Sequence, residues 1–337
     1  MDKILTIVIP TYNMEDYLPF CLNSLLVGKL MDYLDVIIIN DGSKDSSSII
    51  AHQYCSSYPN TFRIIDKDNG NYGSCVNRGL AEANGKYIKI LDADDRFDTQ
   101  SLKIIIETLL KIDVDLVLTD YIKVNIKDEE IERTGYDIQG NEILDFQWMN
   151  CFPEMHGVMY KTDNLRRANY RQTEGISYTD QEWVFGPMMS VKLFYYIPRV
   201  LYKYLVGREG QTMDPKVYAK SLRPEIQITK SMIQLWEDKG VELDNHHRKY
   251  LHDKLIKRIK ELYFLNLILL KQTEDRLLIE LDEYIKNNAS DIFWDTGEDC
   301  TLSPHVKLKF IKHWRRHSYS LAYFPYGIYK KIKLILC

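Results

Sequence analysis

Three aspartates, Asp92, Asp94 and Asp95, close the segment YIKILDADDRFD at residues 87–98, with one alanine between them. Carboxylates this close repel, and each stays charged at a cost unless a cation sits among them. Hard carboxylate oxygens suit Mg²⁺ or Mn²⁺, which keep several waters and take one or two protein carboxylates together with substrate phosphates. No His or Cys stands near enough in the chain to point to zinc. The competing reading is an acidic loop that caps the helix beginning near Thr99, with Thr99 itself an N-cap candidate.

The elements that position these acids are legible from periodicity. ILTIVIP, LDVIIIND, FRIIDK, KYIKILDADD and VDLVLTDY are short β-branched runs of the length of buried strands. Between them, Leu18, Leu22, Leu25 and Leu26 share one helical face, as do Leu102, Ile105, Ile106 and Leu109. Strand and helix alternating at this pitch predict an α/β fold, a mostly parallel sheet flanked by helices. Ligands of such sheets bind beyond the carboxyl ends of the strands. There the chain places PTYN, NDGS, DKDNGNYG and DADD. Thr11, Tyr12 and Asn13 with Asp41 suit a base and ribose, and NGNYGSCVNRGL leads a glycine-bearing loop into a helix N-terminus suited to an anion or ribose. Asp41-Gly42 alone is also an ordinary turn signal.

Further along, HGVMYKTDNLRR reads as a strand running into a helix capped by Thr162 or Asp163. A helix starts near Asp180, and KLFYYIPRVLYKYLV reads as two strands split by Pro198. Beyond Asp214 only helical spacing remains, which predicts a catalytic domain over 1–212 and a helical region over 213–337.

These motifs, in this order, resemble those of family 2 glycosyltransferases with the GT-A, Rossmann-like fold. The matching segments are VIPTYNMEDYLPFCLNSLL, DVIIINDGSKDSS, DNGNYGSCVNRGLAEANGKYIKILDADD and YTDQEW. The resemblance implies inverting transfer of a sugar from a nucleotide donor, usually a UDP-sugar, with Mn²⁺ or Mg²⁺. It implies that Thr11, Tyr12 and Asn13 form the first nucleotide loop and that Asp41 contacts the base. Asn69 and Arg78 would close the nucleoside pocket. Asp92 would face the ribose or sugar and Asp94 the metal, with Asp95 able to replace or assist either. Asp180 matches the catalytic base, although Thr179 stands where the family usually has Glu, which keeps Glu182 as an alternative. An aspartate of ordinary pKa is ionised at neutral pH and can accept the acceptor hydroxyl's proton. Arg208, with Gln211 and Thr212 in YLVGREGQTM, suits a lid over the diphosphate, or else a solvated loop. His156 lines the pocket or is a satisfied structural histidine.

Composition sets the remaining bounds. A net charge of −4 over 337 residues gives no general attraction to nucleic acid, and six cysteines without CxxC spacing fit reduced thiols. MDKILTIVIP lacks the basic start of a signal peptide, and no apolar run reaches bilayer length, so the expectation is a cytoplasmic protein. Residues 301–337 contain no acid, and mix lysines and arginines with aromatics. That composition suits peripheral contact with an anionic membrane face and a lipid-linked acceptor, or a helix packed on the catalytic domain. The substrates expected are a nucleotide-sugar donor and a glycan or lipid-linked acceptor. A non-catalytic nucleotide-sugar-binding module is the alternative. Nucleotidyl transfer wants a Gly-rich, basic first loop, which PTYNMEDY is not.

Overall fold

Runs of β-branched residues cannot leave a face in water, and each such run in the first 125 residues becomes a strand of one sheet. The computed structural model describes residues 2–208, 211, 221–270, 275–298, 300–303 and 306–319. Two compact units divide the chain, Met1–Asp214 and Pro215–Cys337.

In the first unit, β1 (Leu5–Thr11) and β2 (Leu34–Asn40) are buried almost throughout. They are joined by β3 (Phe62–Asp66), β4 (Tyr87–Ile90), β5 (Arg96–Phe97) and β6 (Leu116–Val124). The remaining strands are β7 (Glu130–Thr134), β8 (Ile143–Asp145), β9 (Val158–Lys161) and β10 (Leu193–Leu205). The order is β3-β2-β1-β4-β9-β6-β10-β5, with β7 on β6 and β8 on β10. The pairs β3/β2, β2/β1, β1/β4 and β6/β10 are parallel, and β9 runs against both its neighbours. The α/β sheet expected from periodicity is the sheet observed.

Helices α1 (Leu18–Asn23), α2 (Ser47–Ser57), α3 (Asn71–Glu82) and α4 (Thr99–Leu109) flank it. Two short ones follow, α5 (Thr162–Arg167) and α6 (Asp180–Trp183). Helix α4 buries Leu102, Ile105, Ile106 and Leu109, the face read from spacing. Its cap is Asp98 rather than Thr99: the Asp98 carboxylate accepts from Ser101 N at 2.9 Å, worth about 1 kcal/mol. The Thr99 hydroxyl instead donates to the Ser24 carbonyl. Nor do Thr162 or Asp163 cap α5, whose N-cap is Lys161, because the Thr162 hydroxyl donates to the Gly85 carbonyl at 2.6 Å. Pro198 does not split β10; the register slips between Ile197 and Val200, a bulge that absorbs the residue lacking an N–H. Helix α3 lies tight on β1 because Gly79 has no side chain: a Cβ there would meet Val8 Cγ1 at 2.3 Å.

The second unit contains helices Leu222–Lys239, Asn245–Tyr263, Asp275–Asn288, Ser290–Thr296 and Phe310–Arg316, and a hairpin of Cys300–Ser303 with Val306–Leu308. The described part of the basic aromatic segment is packed within it. Phe310 and Trp314 are buried, and Arg315 donates to Asp282 at 2.7 Å. Lys330, Lys331 and Lys333 lie outside the described residues. Among the described residues, no helix is long and apolar enough to cross a membrane.

Candidate active site

The polar carboxyl ends of β1, β2 and β4 open into one cavity of about 490 Å³. Thr11, Tyr12, Asp41, Asn69, Asp92, Asp94, Asp180, Arg208, His156 and Gln211 all line it. Thr212 lies outside the described residues.

Two of the residues expected in the pocket are elsewhere. Asn13, at φ +53°, turns its side chain to the neighbouring loop, where Oδ1 accepts from Lys44 N at 2.8 Å. It is part of a lacing between the loops after β1 and β2. Asn13 N donates to Ser43 Oγ, Met14 N to Ser47 Oγ, Glu15 N to Asp45 and Ser46 N to Glu15. Arg78 lies past the middle of α3, about 9 Å along the axis from Tyr72, which lines the cavity. There it pairs with Glu82 at 2.9 Å and borders a separate groove.

Asp41 is buried, and its Oδ1 accepts from Lys67 Nζ at 2.5 Å and from Gly70 N at 2.9 Å. Its backbone carbonyl accepts from Asn69 Nδ2 at 3.0 Å. These bonds tie the loop after β3 to the end of β2, and Lys67 supplies the charge that a buried carboxylate needs. The same loop feeds α3. Gly73 there allows close approach of the 172–174 segment, since a Cβ would come 1.9 Å from the Thr173 carbonyl oxygen.

The three aspartates of the opening cluster have three different environments. Asp95 is buried, and its carboxylate accepts from the Tyr202 hydroxyl and from Leu205 N, both at 2.7 Å. Burial first, then Asp94 and Asp92, push its pKa well up. It fastens the end of β10 to the turn after β4. Asp92 accepts from the Tyr72 hydroxyl at 2.7 Å. Burial and then Asp94 raise Asp92 to about 6, while Tyr72 and His156 pull it back and Asp180 pushes it up. The acids of two elements thus feel each other across the cavity. Asp94 has a cation of its own: Arg208 Nε donates to its Oδ2 at 2.6 Å. The arginine also lies against the Tyr17 ring, 5.4 Å from its centroid. Gly207, at φ +87°, makes the turn that brings it there, and Gln211 braces that turn by accepting from Gly207 N at 3.0 Å.

Of the two candidate bases, only Asp180 borders the cavity. The Glu182 carboxylate accepts from Thr173 N and from the Thr173 hydroxyl, both at 2.7 Å, and so closes a loop.

For a divalent cation, Asp92, Asp95 and His156 each offer a ligand atom within 4.8 Å of the others. Asp94 is absent from that group while it pairs with Arg208. The carboxylate-rich set fits Mg²⁺ or Mn²⁺, and the buried His156 ring, whose Nδ1 lies 3.6 Å from the Glu154 carboxylate, adds a nitrogen ligand. His156 stacks on Tyr204, 4.6 Å between centroids. Sequence reading missed Tyr72, Lys67 and Tyr204. Tyr72 stands inside NGNYGSCVNRGL, but a phenol gives no cue that it will reach an acid 20 positions away.

Below the site, Lys89 of β4 is fully buried and donates to the carbonyls of His156 and Val158 at 2.7 and 3.1 Å. Burial lowers its pKa from 10.5 to about 7. Between those values the unfolded chain holds a proton that the folded one lacks, so this residue makes stability rise with pH, by up to about 1.4 kcal/mol per unit. Thermal midpoints of wild type and Lys89→Met at pH 7 and pH 9 test it. The gap should shift toward wild type at pH 9; an unchanged gap contradicts the assignment.

A family model described as Glycosyl transferase family 2 matches residues 6–165. That stretch of the chain carries a family 2 glycosyltransferase domain, and with the curated relatives it supports a glycosyltransferase enzyme over a binding module. YibD, an uncharacterized glycosyltransferase of Escherichia coli (strain K12), is 27% identical over 271 residues, 74% of this chain and 77% of YibD. The uncharacterized glycosyltransferase MG025 homolog of Mycoplasma pneumoniae is 42% identical over 97 residues, 28% of this chain and 32% of that protein. Among solved structures, S. aureus TarS 1–349 in complex with UDP-GlcNAc is similar with a TM-score of 0.64 and 18% identity. That match covers 86% of this chain and 82% of TarS 1–349, and at such identity it speaks to the GT-A fold alone.

Proposed function

We propose that this glycosyltransferase takes a single sugar from a UDP-sugar, with Mn²⁺ or Mg²⁺, and moves it with inversion to a hydroxyl of a cell-surface glycan or lipid-linked acceptor. The observation that carries the reading is the single cavity in which Asp92, Asp94 and Arg208 meet Asp180 from a separate element. TarS, of the same fold, has been solved with UDP-GlcNAc and with UDP, which supports the choice of donor.

On this reading Thr11, Tyr12, Asp41 and Asn69 receive the nucleoside. Asp41 is already committed to Lys67 and Gly70, so it shapes that part of the pocket as well as offering an acceptor. Asp94 and Asp92 would hold the cation, Asp92 being clustered with Asp95 and His156. Bound there, the cation supplies Lewis-acid stabilisation of the charge gathering on the departing diphosphate. Arg208 adds its guanidinium to the same charge. Asp180 takes the proton of the acceptor hydroxyl as that oxygen forms its bond to the anomeric carbon, and the bond to the diphosphate oxygen breaks with its electron pair leaving on UDP. Contact of the acid-free segment 301–337 with an anionic membrane face would suit a lipid-linked acceptor.

The test is a panel of UDP-sugars with Mn²⁺, following free UDP with and without acceptor. Release from one donor, accelerated by acceptor, is the expected result. Tight UDP binding without turnover of any donor in a broad panel would refute it.

A further inference from the structure

We propose, on the footing of the donor-plus-cation reading above, that Arg208 is a built-in counter-ion which makes cation binding and nucleotide binding depend on each other. Its guanidinium sits where the cation's charge is needed, 2.6 Å from Asp94 Oδ2. Both side chains are largely withdrawn from water, 16% and 11% exposed, so the pair is more than a screened surface contact. Tyr17 and the Gly207 turn hold the arginine in that place.

A divalent ion that uses Asp94 therefore competes with Arg208 for that carboxylate. Displaced alone, the arginine leaves a desolvated ion pair for no new partner, which penalises cation binding to the empty protein. A diphosphate changes the balance: it gives Arg208 an anion to pair with at the moment when Asp94 turns to the cation. Each ligand removes the obstacle to the other, and linkage requires the effect to be mutual. Asp94, paired with Arg208, stands apart from the group formed by Asp92, Asp95 and His156.

The experiment is Mn²⁺ titration of the intact protein, read by the paramagnetic resonance signal of free Mn²⁺, without UDP and with saturating UDP. Wild type should bind Mn²⁺ weakly alone and at least about tenfold more tightly with UDP. Arg208→Gln should bind Mn²⁺ alone about tenfold more tightly than wild type, and UDP should improve that affinity far less. Arg208→Lys, which keeps the charge, should stay close to wild type and guards against a variant that simply misfolds. If Arg208→Gln gains no Mn²⁺ affinity, or Arg208→Lys behaves like Arg208→Gln, the counter-ion role is wrong while UDP-assisted uptake by wild type leaves the donor reading standing. If wild type takes up no Mn²⁺ even with UDP, the cation reading falls and this inference with it.

Discussion

Asp180→Asn should lower acceptor-dependent UDP release by about a thousandfold, within the range of 10² to 10⁴ for a general base. The affinity for UDP, measured by calorimetry, should change by less than about twofold. An amide cannot take the proton, but it is close in shape to the carboxylate, and the nucleoside pocket is built by other elements. Glu182→Gln is the instructive contrast. The Glu182 carboxylate already accepts two bonds from Thr173, so its loss should appear chiefly as reduced stability of that loop. Transfer that survives Asp180→Asn but not Glu182→Gln would reverse the assignment.

The second large effect is at the cation. Stripping divalent ions with EDTA should reduce transfer by at least about a hundredfold, corresponding to ~3 kcal/mol of transition-state stabilisation, and Mn²⁺ should restore it. Asp94→Asn should show a loss of similar size that added Mn²⁺ does not repair, together with weakened UDP binding in the presence of Mn²⁺. Full activity after exhaustive chelation would mean that Arg208 alone neutralises the leaving group, and that the crowded acids serve another purpose.

The fold was legible because its strands are long apolar runs and its helices keep one greasy face, patterns that burial imposes directly on composition. The place of the site was legible for a related reason: a parallel sheet exposes its strand ends on one rim, and every rim segment here is polar. What escaped was the aim of individual side chains. Asn13 and Asp41 look alike in the chain, yet a left-handed backbone at Asn13 turns it toward Ser43 and Lys44 while Asp41 is fixed under the next loop. Arg78 shares a motif with Tyr72, but distance along the helix axis separates them, and Glu82 one turn away gives the arginine a partner. The three acids of DADD are indistinguishable by sequence. Contacts from Tyr72, Arg208, Tyr202 and Leu205, 20 to 114 positions away, give each its own environment. The Pro198 bulge further obscured which residues of β10 would reach the rim.

The lacing between the loops after β1 and β2 has a kinetic consequence. Those loops are cross-tied by backbone and side-chain bonds before anything arrives, whereas Arg208 must trade partners when a diphosphate is received. A donor would accordingly anchor by its heterocycle first, on a surface needing no rearrangement, and settle its phosphates afterwards. Departure of the spent nucleotide would run the same sequence backwards, with the charged groups letting go before the ring.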